Sequence, residues 1–171
     1  MKKVLSSILI VTMCAFLCLG CGEDESNKPA DSTSGNESVE EVAGGTIGTD
    51  LYLAFAKEIE TNQDVEAVAN ALCENEVFGE IVTGTLLVEE GYLNGFDAEI
   101  TGFSKGAMFA PMIGTIPFVG YVFETDNPDE LIKTLTEHAE LNWNICTVAD
   151  EMVVKSVGNF VYFVMAPKSF E

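Results

Sequence analysis

Along the second half of the chain the spacing of apolar positions changes several times, and each spacing predicts a different element. Leu51, Phe55 and Ile59 recur at every fourth place behind Asp50, which predicts a helix capped at that aspartate. DVEAVANALCENE follows, where Val65, Val68, Ala69 and Leu72 keep the i, i+3, i+4, i+7 spacing of a half-buried helix. The composition then turns β-branched. EIVTGTLLV (Glu80 to Val88) predicts a strand ended by a turn carrying Asn94-Gly95, DAEITGF a second strand, and FVGYVFE (Phe118 to Glu124) a third. Asn127-Pro128-Asp129-Glu130 is the strongest helix start in the chain, with Asn at the cap, Pro at the first helical position and Glu at N3. Behind it Leu131, Ile132, Leu135 and Ala139 share a face. EMVVKSV and FVYFVM close the chain, joined by Gly158-Asn159, a two-residue turn suited to positive φ.

The predicted order is therefore α-α-β-β-β-α-β-β. Helices and strands alternate too seldom for a doubly wound parallel sheet, and the last hairpin requires antiparallel pairing. The expectation is an α+β fold with its helices packed on one face of a mostly antiparallel sheet. No internal repeat is present. Asp50 to Glu171, 122 residues, is the size of one domain.

The first residues follow another pattern. Met1, Lys2 and Lys3 precede 16 uncharged, largely apolar residues, Val4 to Leu19. As a helix this run would span roughly 24 Å, short of a bilayer core of ~30 Å, which favours an export signal over a membrane span. Leu19-Gly20-Cys21 resembles the end of the lipobox of bacterial lipoprotein precursors, with Cys18 standing where that family usually has Leu. The resemblance implies a signal peptide over 1–20, a diacylglyceryl group on Cys21, and an extracytoplasmic protein anchored to the cell membrane by lipid. Residues 21–49 are rich in Ser, Gly, Asn and acids, with few large apolar groups, and read as an acidic disordered tether. The last ~50 residues, ending GNFVYFVM, resemble small Gram-positive lipoproteins whose domain has no assigned function; that likeness implies the α+β architecture and supplies no active site.

Charge narrows the function. The net charge is −20 and the chain has no arginine, which speaks against nucleic acid and against a phosphate clamp. No cofactor is expected. Asp126, Asn127, Asp129 and Glu130 cluster without the alternating oxygens of a calcium loop, and capping accounts for them. His138, the single histidine, falls at the end of its helix, where the terminal carbonyls favour it.

Two thiols, Cys73 and Cys146, fall within the domain. A bridge between them would close a 74-residue loop and contribute about 4 kcal/mol in the chain-entropy model; burial as free thiols is the other reading. AMFAPMIGTIPFVGY (Ala107 to Tyr121) carries no charge, two Met and two Pro. It reads either as a bent strand crossing the core or as a surface on which Met108, Phe109, Met112, Ile113 and Phe118 receive a protein or a small apolar ligand. The expected function is a lipid-anchored, non-enzymatic binding module. The alternative is a small cell-envelope hydrolase using carboxylates, or Cys146 with His138.

Overall fold

The structure is a computed structural model describing residues 45–170, so the lipobox-like site at Cys21 and the segment 22–44 lie outside the described residues. Its organising element is the last strand, β7 (Phe160–Ala166), which has no polar face. Phe160, Tyr162, Val164 and Ala166 enter one apolar core, and Val161, Phe163 and Met165 enter a second on the other side. A strand of this kind is stable only between two covering layers. Each large side chain so buried contributes about 1.5–3 kcal/mol relative to exposure in water.

The layers assemble around it. β1 (Thr83–Val88), β4 (Lys105–Pro111), β5 (Val119–Glu124), β6 (Glu151–Val157) and β7 form a five-stranded sheet in the order β1-β4-β5-β7-β6. All four pairings are antiparallel. The helices α1 (Ile47–Ile59) and α2 (Val65–Cys73) cover one face. The helix α3 (Pro128–His138) and a two-stranded sheet of β2 (Gly91–Tyr92) and β3 (Glu99–Ile100) lie on the side of the second core. The α+β class and the predicted order of helices and main-sheet strands are as expected. The layering differs, because α3 sits opposite α1 and α2 instead of beside them. Val119, Tyr121 and Phe123 on β5, with the odd residues of β7, supply the second apolar face that demands it.

Local chemistry explains the element ends. α2 begins behind Asp64, whose carboxylate accepts from the Ala67 amide at 2.9 Å. α1 starts earlier than Asp50: Thr46 caps it, and Ile47 is buried. The tether boundary at residue 49 therefore gives way, since Thr46 to Thr49 belong to the fold. The sequence conceals this because Gly48, although it looks like linker, is a close-approach point. A side chain there would meet Val153, its carbonyl accepts from the Tyr162 hydroxyl at 2.9 Å, and its amide donates to Glu151 Oε1 at 2.9 Å. Asn127 stands at the N-cap of α3 as predicted, yet its side chain makes no cap hydrogen bond. Pro128 sets the first turn, and the Asn127 amide donates instead to Thr125 Oγ1 at 3.1 Å.

DAEITGF yields only the two residues of β3, because Gly102 turns the chain with φ 91°. The full strand comes after it, as β4. There Ala107 and Phe109 point to the two-helix core and Met108 to the other. Gly158, with φ 58°, makes the β6–β7 turn that was predicted.

Candidate binding cleft

The uncharged segment Ala107 to Tyr121 divides in the structure. Its first part is β4 and its last part enters β5, while Met112 to Phe118 form the connection between them. Phe109 is fully buried and Phe118 nearly so, their ring centroids 5.7 Å apart. Met108 is half-buried. Met112 and Ile113 are 71% and 57% exposed. The five residues expected to form one surface therefore split: Phe109 belongs to the core, Phe118 is a core residue touching the cleft wall, and Met112 with Ile113 stand in solvent.

A cleft of about 380 Å³ opens at this end of the sheet, lined by Met108 and Ala110 of β4, Ile113 and Ile116 of the connection, and Trp143 and Ile145 from the segment after α3. Hydrogen bonds tie the β4–β5 connection to the segment after α3. Asn144 Nδ2 donates to the Gly114 carbonyl at 2.8 Å, and Thr147 Oγ1 donates to the Thr115 carbonyl at 3.1 Å. On a third side the Tyr121 hydroxyl donates to the Asn94 carbonyl at 2.8 Å. Burial pushes that phenol well above its ordinary value.

Among the described residues no ionisable side chain lines the cleft. In a chain of net charge −20 such a neutral window is what an apolar ligand requires, with a few polar groups to orient it. Ile145, at its rim, is 99% exposed. Burying an isoleucine side chain against a partner would contribute about 1.5–3 kcal/mol. Trp143 and Ile145 were not singled out from the sequence. Their signal is LNWNIC, in which large apolar residues alternate with asparagines too turn-prone for a strand.

The other predicted sites are not assembled. Cys73 and Cys146 are both free. Cys73 ends α2, where burial pushes its thiol up and the Thr83 hydroxyl lies beside it. Cys146 is exposed in the segment that braces the cleft, its amide donating to Asn144 Oδ1. In place of the bridge the structure has two separate thiols, one half-buried and one exposed. His138 and Cys146 do not pair either: His138 Nδ1 hydrogen-bonds Asp97 Oδ1 at 2.9 Å. That contact fastens the end of α3 to the loop before β3, beside the bridge between Phe96 and Ala139.

A second, polar cleft of about 670 Å³ is lined by Glu60, Gln63, Lys105, Glu124 and the β6–β7 turn. Its Glu124 is engaged by Lys105 at 2.8 Å, a hydrogen bond that raises the lysine's affinity for its proton. The acids at the start of α3 line only a shallow hollow. Among the described residues no group of three or more His, Cys, Asp or Glu side chains could hold a metal ion. Comparison with known proteins finds no matching family model, no similar curated protein and no similar solved structure.

Proposed function

We propose that this chain is a binding module held outside the cytoplasm by lipid on Cys21, and that the cleft between the β4–β5 connection and the segment after α3 receives an uncharged, apolar group of a partner. The observation carrying the binding role is the uncharged cleft, rimmed by Ile113 and Ile145, with Met112 exposed next to Ile113, on an otherwise strongly acidic chain. The membrane location rests on Met1 to Cys21 of the sequence. Among the described residues no helix is long and apolar enough to cross a membrane. A diacylglyceryl cysteine would anchor firmly by itself, since two acyl chains at ~0.8 kcal/mol per CH₂ hold where one is marginal.

Fractionation of bacteria expressing the full chain, followed by intact mass, tests the location. The expected result is a membrane-bound species starting at residue 21 and carrying lipid, with Cys21→Ala released from the membrane or left unprocessed. An unlipidated chain with its first twenty residues intact would refute it. The alternative that pairs Cys146 with His138 loses support, because the His138 ring is hydrogen-bonded to Asp97.

A further inference from the structure

β1 is an outer strand of the sheet, and its backbone bonding can be read from the register. The Val82 carbonyl accepts from the Met112 amide at 2.8 Å, and Pro111, opposite Thr83, has no N–H to give. The bonded partners of β4 are therefore the even-numbered residues of β1. Thr83, Thr85 and Leu87 turn their N–H and C=O groups the other way, towards the open edge. Among the described residues no hydrogen bond reaches those groups.

Exposed edges are normally protected by charge, proline or a bulge. The opposite outer strand, β6, carries Glu151 and Lys155. β1 has none of these devices, and Leu86 and Leu87 stand 60% and 55% exposed on its two faces. Leu86 shares its face with Met108 and the cleft.

The flanks say which strand would fit. Glu80 and Glu89 are exposed at the two ends of β1, while the Glu90 carboxylate accepts from the Gly102 amide. A second copy pairing antiparallel through the same edge would set Glu80 of each chain against Glu89 and Glu90 of the other, like charge on like. A segment with cationic ends meets the opposite situation.

We propose that β1 receives an extended segment of another protein, apolar at alternate positions and flanked by Lys or Arg, which adds a sixth strand to the sheet. This rests on the binding-module reading and names its partner. The test uses the full chain and a fluorescent probe, Lys-Thr-Val-Thr-Val-Thr-Val-Lys, with a version ended by Glu and a version N-methylated on alternate residues. Anisotropy should show the Lys-ended probe binding in a salt-dependent way, the Glu-ended one about tenfold weaker, and the methylated one not at all. Hydrogen exchange across Thr83 to Val88 should slow on binding, and Leu86→Lys should lose the probe while keeping its melting temperature. Equal binding of the methylated probe overturns the proposal, as does self-association of the free chain that protects β1. A change in Trp143 fluorescence without protection of β1 overturns it while leaving the cleft as a binding site. Silence at both places refutes both readings.

Discussion

Gly120 of β5 lies directly across from Phe109 of β4, and the Phe109 ring occupies the space where a side chain on Gly120 would go. Gly120→Ala therefore drives a methyl group into a fully buried ring that cannot swing out, because Phe118 packs on it. Overpacking of this kind costs about 1–3 kcal/mol. Phe109→Ala removes the ring and costs about 3–5 kcal/mol through lost burial and the cavity left behind. In the double variant the new methyl enters vacated space. The pair should then be less destabilised than the sum by about 1–3 kcal/mol, the coupling expected of residues in contact. Urea unfolding followed by circular dichroism and by the single tryptophan, Trp143, measures all four corners of the cycle. Additivity within about 0.5 kcal/mol, or a neutral Gly120→Ala, would show that β4 does not cross the core as described.

Alkaline stability and thiol chemistry supply two further tests. Burial raises the phenols of Tyr121 and Tyr162 well above their ordinary value of about 10, so in the folded chain they stay neutral where the unfolded chain ionises. Their stabilisation is complete below pH ~10 and is lost as pH rises further, at up to ~1.4 kcal/mol per pH unit for each group. Tyr162→Phe should flatten this fall while costing about 1–3 kcal/mol at neutral pH by orphaning the buried Gly48 carbonyl, and an unchanged alkaline slope would contradict the burial. Within the domain a thiol reagent, read out by peptide mass mapping, should find Cys146 at once and Cys73 slowly, since Cys73 is half-buried with its thiol pushed up. Failure to detect either thiol under denaturing, non-reducing conditions would mean that they are bridged.

Much of this architecture is legible in the chain because local signals and burial agree there. Pro128 marks a helix start, Gly158-Asn159 marks a hairpin, and Val65, Val68, Ala69 and Leu72, like Leu131 and Leu135, mark apolar stripes; each appears where the local pattern places it. What was hidden depends on contacts between distant residues. Gly48 reads as linker until Tyr162 and Glu151 are brought against it across more than a hundred residues. The second face of the sheet is written in FVYFVM as an unbroken apolar run, which shows burial on both sides but not which helix supplies the second cover. Within Ala107 to Tyr121 the core and surface residues are chemically alike. Phe109 and Ile113 separate only because the chain leaves β4 at Pro111, and the cleft needs Trp143 and Ile145 from a segment some thirty residues away.

The cleft itself is tested most directly by placing charge on its rim, at Ile113, and on the exposed Met112 next to it. Met112→Asp combined with Ile113→Asp alters two side chains that stand in solvent, so the fold should survive with a loss of no more than about 1 kcal/mol. The uncharged apolar dye Nile red, titrated into the unaltered chain, should saturate and change the fluorescence of Trp143, and both responses should vanish in the double variant. Collapse of the fold in that variant, or dye binding that persists unchanged, would show that these residues do not form a receiving surface.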